Sequence, residues 1–175
     1  MSVVFSSDGL HWGQPITTPA IEANGTHTNA FWAPHRDRYV GISRQYADGV
    51  RLVTRAKSTD FAYWTRDQTI LRGPNSHPQT RDMIVFPTNG IYIGLLGRMV
   101  YPDGSDRNEA TGVKQYVELV WSPDTVTWYR IQEGTPFIGY IPEGTKTCEA
   151  MPYDRRTIFA SAPIFLNDEI LYILW

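Results

Sequence analysis

The side chains here that could do chemistry are scattered carboxylates, a few arginines and an unusual number of aromatic rings. Two carboxyl groups flanking a bond can act as general acid and base, provided their surroundings push their pKa values apart. Glu118 stands inside the apolar run Tyr116-Val117-Glu118-Leu119-Val120-Trp121. In an alternating strand it points either inward, as a candidate site residue, or outward, as an ordinary polar partner. Arg98 ends the strand that follows Tyr92 and can meet a carboxylate or a ligand hydroxyl. Trp32 can stack on a ligand ring or pack between elements, and both readings stay open. His27 can bind a hydroxyl or act as a weak base, or serve as a plain polar loop residue. Other chemistries have no motif here. The chain carries no Gly-rich phosphate loop, nucleophile elbow or His-Glu-x-x-His pattern. Its single cysteine, Cys148, allows no internal disulfide and no Cys-rich metal site. No metal or other cofactor is therefore expected.

These residues must be positioned by a chain of 175 residues, enough for one domain with its own core. Six Trp and ten Tyr exceed what a plain core needs, and such rings often line polar clefts. The formal net charge is −2 with both signs spread along the chain, which argues against a nucleic-acid footprint. No apolar run is long enough to span a membrane. The start, Met1-Ser2-Val3-Val4-Phe5, lacks the basic and apolar regions of a signal peptide. That suggests the cytoplasm if the visible start is the true one, and secretion if a leader is missing.

The elements are announced by a repeat. Ser, any residue, Asp, three residues, then Trp occurs as Ser6 to Trp12, Ser58 to Trp64 and Ser122 to Trp128. Paired apolar segments lie between and after the copies. Ala30-Phe31-Trp32 goes with Tyr39-Val40-Gly41-Ile42, and Ile84-Val85-Phe86 with Ile91-Tyr92-Ile93-Gly94-Leu95. A third pair is Ala162-Pro163-Ile164-Phe165 with Ile170-Leu171-Tyr172-Ile173. The tryptophans lie 52 and then 64 residues apart. The extra length falls after the second Tyr strand, in the polar stretch Pro102-Asp103-Gly104-Ser105-Asp106-Arg107-Asn108. A further insertion spans roughly Gly134 to Tyr153. Arg51 to Ala56 and Tyr116 to Trp121 read as strands leading into the motif. In the motif, the Ser and Asp side chains are expected to cap amides of a tight turn and the Trp to pack. No segment of ten or more residues reads as a helix. Several short strands per unit of ~40–60 residues predict an all-β propeller.

This Ser-x-Asp-x-x-x-Trp form, repeated after strands, resembles the blade ends of glycoside hydrolase families 32, 43 and 68. Those families share a five-bladed β-propeller. A closer similarity is to uncharacterised bacterial proteins related to the family 32 amino-terminal domain. It is carried by Ala30 to Val40, by Arg81-Asp82-Met83-Ile84-Val85-Phe86 and by Tyr153 to Ala160. The resemblance covers nearly the whole chain. It implies an incomplete propeller, 1–175, with units of roughly 1–12, 13–64, 65–128 and 129–175. That is about two full blades plus parts of two others, completed by missing blades or by self-association.

The resemblance also implies three acids on inner strands around a central pocket. Arg81-Asp82 falls where those families carry Arg-Asp-Pro before an apolar strand, and there the Asp orients substrate and tunes pKa. Asp82 is thus the first catalytic candidate, although Met83 replaces the Pro; the other reading is a solvated strand-entrance residue. The matching place in the preceding unit holds His27 rather than an acid. Where the general-acid Glu would stand, this chain has Ala160-Ser161. Asp154, which matches an acidic position of the bacterial relatives, and Glu149, in the inserted loop, are the alternatives. The implied activity is hydrolysis of glycosidic bonds in a fructan- or arabinan-type carbohydrate. The rival expectations are a carbohydrate-binding or catalytically silent propeller and a purely structural one.

Overall fold

The structure, a computed structural model, describes residues 2–17, 28–72, 79–101, 113–139, 158–166 and 169–172. These residues form an all-β arrangement of antiparallel sheets. Strands β1 (Ser2–Val3) and β2 (Ile16–Thr17) form a short pair. A four-stranded sheet follows, made of β3 (Asn29–Ala33), β4 (Arg38–Ala47), β5 (Val50–Ser58) and β6 (Thr65–Arg72). The second four-stranded sheet is β7 (Gln79–Thr88), β8 (Ile91–Val100), β9 (Lys114–Ser122) and β10 (Tyr129–Arg130). Last, β11 (Ile164–Leu166) pairs with β12 (Glu169–Tyr172). Within every sheet each strand pairs with its sequence neighbour, the simplest solution for short connections.

Two dipeptides set the longest hairpins. Asp48-Gly49 joins β4 to β5 at φ 53° and 74°, and Asn89-Gly90 joins β7 to β8 at 44° and 82°. Positive φ at both central residues gives the turn whose twist matches the flanking strands. The registers follow, with Ala47 opposite Val50 and Thr88 opposite Ile91. The predicted pairs form: Trp32 lies opposite Tyr39, Ile84 opposite Leu95 and Ile164 opposite Tyr172.

The repeated motif is the hairpin between the third and fourth strands, so β6 and β10 lie beyond Trp64 and Trp128. In the third copy, Ser122 Oγ accepts the amides of Asp124 and Thr125 at 3.2 and 2.8 Å. Asp124 Oδ1 accepts those of Val126 and Thr127 at 2.9 and 2.7 Å. The other two copies repeat the pattern through Ser6 with Asp8 and Ser58 with Asp60. The residue after each Asp has positive φ: Gly9, Phe61 and Thr125. The conformation is strained for a β-branched residue. Buried Thr125 also accepts a 3.0 Å hydrogen bond from Arg55 Nε, tying the turn to the first sheet. Trp64 Nε1 donates to Phe61 O, and Trp128 Nε1 to Thr125 O, which closes both turns. Trp128 can lie over β8 because Gly94 has no side chain: a β-carbon there would sit 2.9 Å from the indole.

These aspartates give one testable outcome. Burial works to raise the Asp124 pKa, but the amides of Thr127 and Val126, Ser122 and the Arg36 charge outweigh it and leave it lowered. Its folded pKa lies below its unfolded one. The carboxylate therefore stabilises the fold above the ordinary range near ~3.9, and that is lost as pH falls through the lowered value. Asp124→Ala is expected to cost about 1–2 kcal/mol in urea melts at pH 7, as for a lost capping side chain. Asp124→Asn keeps the acceptor and costs less, and its stability falls less steeply between pH 5 and 2. An Asn variant as acid-sensitive as the wild type sinks this account.

The two sheets pack through one core. Ala33, Val40, Ile42, Val53 and Leu71 of the first meet Met83, Val85, Tyr92, Leu96 and Val120 of the second. The other face of the second sheet buries Ile84, Phe86, Leu95 and Val117 against Ile158. Being covered on both faces explains why Met83-Ile84-Val85-Phe86 is apolar without alternation. Asn29 Oδ1 accepts the Val85 amide at 2.9 Å, and Thr80 Oγ1 donates to Arg51 O at 2.7 Å, which fixes β7 against the first sheet.

Candidate functional site

Strand alternation sorts the candidate residues by face. Met83 on β7 and Glu118 on β9 both lie opposite Leu96 on β8. These residues share the face that packs toward the first sheet. Arg98 is opposite Tyr116 on the same face, two residues along. Register thus brings Arg98 and Glu118 together, with Arg98 Nε 3.3 Å from Glu118 Oε1. Tyr116 Oη donates to Glu118 Oε1 at 3.2 Å, and the Gly134 amide does so at 3.1 Å. Arg130 Nη1, on β10, lies 3.6 Å from Glu118 Oε2 and also bonds Glu133.

Arg98 and Glu118 are each 1% exposed. Glu118 therefore takes the inward of its two possible orientations. Its oxygens face a tyrosine, two arginines and a turn amide rather than solvent. Burial lowers the Arg98 pKa from the guanidinium range, and the Glu118 charge opposes that. Burial, then the Glu118 charge, raises the Tyr116 pKa, keeping its hydroxyl a donor. The arrangement ties β8 to β9 and to the turn at Gly134. Tyr116 and Arg130 complete it and were not singled out in the sequence.

Asp82 projects from the other face of the second sheet. It is opposite Gly97, just after a bulge at Arg81. It is 8% exposed, with its carboxylate held against the Gly97 α-carbon: a β-carbon at Gly97 would lie 2.2 Å from Oδ1. It is thus a buried strand residue and not a solvated one. Among the described residues, Asp82 and Glu118 are set back to back and form no acid–base pair. Arg81, beside Asp82, lines an open cavity of about 440 Å³.

Trp32 is 41% exposed on β3 and meets the Tyr39 ring edge-on at 4.9 Å. Tyr39, Phe61 and Trp64 continue the aromatic series. This cluster is at the Tyr39 end of β4. The cavity beside Arg81 also takes in Arg44 and Tyr46, toward the other end. At ~3.3 Å per residue the two lie roughly 17–23 Å apart along the strand. The structure does not bring Trp32 to Asp82. His27, Glu149 and Asp154 lie outside the described residues.

No protein-family model matches the chain, and no curated protein matches it. Solved structures do. One is a glycoside hydrolase with a TM-score of 0.54 and 14% identity, covering 85% of this chain and 44% of that one. Another is an N-acetylgalactosamine deacetylase from F. plautii, in complex with blood group B trisaccharide. It has a TM-score of 0.51 and 14% identity, covering 73% of this chain and 35% of that one. The chain spans less than half the length of either structure, and what it shares with them is the fold.

Proposed function

We infer that this chain is part of a β-propeller that hydrolyses glycosidic bonds in a poly- or oligosaccharide, of fructan or arabinan type. One observation carries the reading. Two four-stranded antiparallel meanders, each with the same Ser-Asp-Trp hairpin before its last strand, stack face to face. Ile158 and Ala160, upstream of β11, pack on the other face of the second. Continuing that stacking radially builds a propeller, with missing blades or a second copy completing it. The likeness of fold to a glycoside hydrolase supports the same reading.

In this mechanism Asp82 orients the substrate and tunes the acid, and Asp154 or Glu149 protonates the leaving oxygen. Two carboxyls about 5–5.5 Å apart would make a retaining enzyme, and about 6.5–9.5 Å an inverting one. His27 would bind a hydroxyl from the neighbouring unit. Trp32, on β3 opposite the Tyr39 end of β4, would bind an outlying sugar. Arg98 and Glu118 would hold the sheet that carries Asp82.

A second reading, a carbohydrate-binding propeller without catalysis, is favoured by the back-to-back placement of Asp82 and Glu118. A hydrolysis screen of the purified protein against fructans, arabinans, xylans and aryl glycosides separates the two. Turnover on any of them supports the enzyme. Binding of the same glycans without turnover supports the binding module and removes the enzyme reading.

A further inference from the structure

The end of the first sheet nearest β7 gathers arginines. The Asp48-Gly49 turn sets Tyr46 directly opposite Arg51. Arg44, two residues before Tyr46, shares that face. The Arg44 and Arg51 guanidinium groups lie over the Tyr46 ring, 5.3 and 5.1 Å from its centroid. Such contacts hold planar cations in place. Arg81 joins them from the β7 bulge, its guanidinium 5.4 Å from the Phe159 ring centroid. All three arginines line the cavity of about 440 Å³, with Tyr46 and Gln115 beside them. No carboxylate is among the described residues that line it.

Like charges gathered in one cavity repel unless an anion joins them. Arg44 Nε and Nη1 and Arg81 Nε are buried without hydrogen-bond partners among the described residues. Burial lowers the Arg44 pKa; Arg81 and Arg51 add to that, while Tyr46 and Asp82 oppose it. Arg51 already donates to Gln79 Oε1, so it contributes charge more than a free fork. A guanidinium fork matches a planar carboxylate through two parallel hydrogen bonds. The cavity is also of the size that holds a sugar ring.

We propose that this cavity binds the carboxylate of an acidic sugar, with Arg44 and Arg81 contacting it and Arg51 supplying charge. That the ligand is a sugar rests on the carbohydrate reading above; the preference for an anion rests on the arginines alone.

The test is calorimetric titration of the protein with D-glucuronate, D-glucose and inorganic sulfate at low salt. Glucuronate is expected to bind about tenfold or more tightly than either of the others, the size of a charge-assisted fork. Arg44→Gln and Arg81→Gln are each expected to weaken glucuronate by about tenfold and leave glucose unchanged. Arg44→Lys keeps the charge without the fork and should lose an intermediate amount. Circular dichroism and melting confirm that each variant is folded. Equal affinity for glucuronate and glucose overturns the proposal, as does a preference that survives both Gln variants. Sulfate binding as tightly as glucuronate shows a general anion site and overturns the sugar assignment. Hydrolysis of neutral glycans with no glucuronate preference defeats this inference and leaves the hydrolase reading standing. Arginine-dependent glucuronate binding without turnover does the reverse.

Discussion

Glu118→Ala is expected to destabilise the fold by about 3–5 kcal/mol, the cost of breaking a buried ion pair by removing one partner. The substitution removes the carboxylate beside Arg98, which is 1% exposed and whose charge Glu118 supports against burial. It also removes the acceptor of the Tyr116 hydroxyl and the Gly134 amide. Glu118→Gln keeps an oxygen for those two donors and loses only the charge, so its cost should fall between Ala and wild type. The partner test is sharper. Glu118→Leu with Arg98→Met replaces the pair by apolar groups of similar volume, which often recovers most of the loss. Urea denaturation of the single and double variants measures this coupling. A Glu118→Ala protein within about 0.5 kcal/mol of wild type, the range of an ordinary surface change, would mean that the pair is solvated.

The strands around that pair were legible in the sequence, while the pair's full environment was not. Apolar runs on either side of Asn89-Gly90 specify a hairpin by local chemistry, so β7 and β8 could be read residue by residue. The motif aspartates were legible as turn caps for the same reason, since their partners are two and three residues away. β6 was harder. It is the outer edge of its sheet, and Thr65-Arg66-Asp67-Gln68 carries no apolar face to mark a strand. Glu118 could be read as inward or outward. Its orientation depends on Leu96 lying opposite it and on a first sheet packing against that face. Tyr116 and Arg130 depend on the same tertiary register. The arginine cavity shows the boundary most clearly. Arg51 opposite Tyr46 follows from the Asp48-Gly49 turn and was in principle readable. Arg81 joins them through packing of β7 on the first sheet, which no local spacing encodes.

Asp82→Asn is expected to lower turnover about a hundredfold or more if the carboxylate takes part in the acid–base chemistry of a glycosidase. Asn preserves size and an oxygen acceptor, so folding should be little changed and the loss should appear in kcat. Gly97→Ala probes the same carboxylate without altering its chemistry. The new β-carbon would sit 2.2 Å from Asp82 Oδ1 and 3.2 Å from its carboxyl carbon. At 8% exposure the side chain has little space to rotate away, so the carboxylate must leave its present position. A misplacement of about 1 Å near the reacting atoms can itself cost about a hundredfold in rate. Together the two variants separate position from charge. Loss of turnover in both, with melting temperatures near wild type, places the Asp82 carboxylate in the site as it stands. Loss in Gly97→Ala alone, with Asp82→Asn fully active, would mean that the strand geometry matters and the charge does not. Asp82 would then be a packing residue, and the acids of the reaction would have to be sought elsewhere.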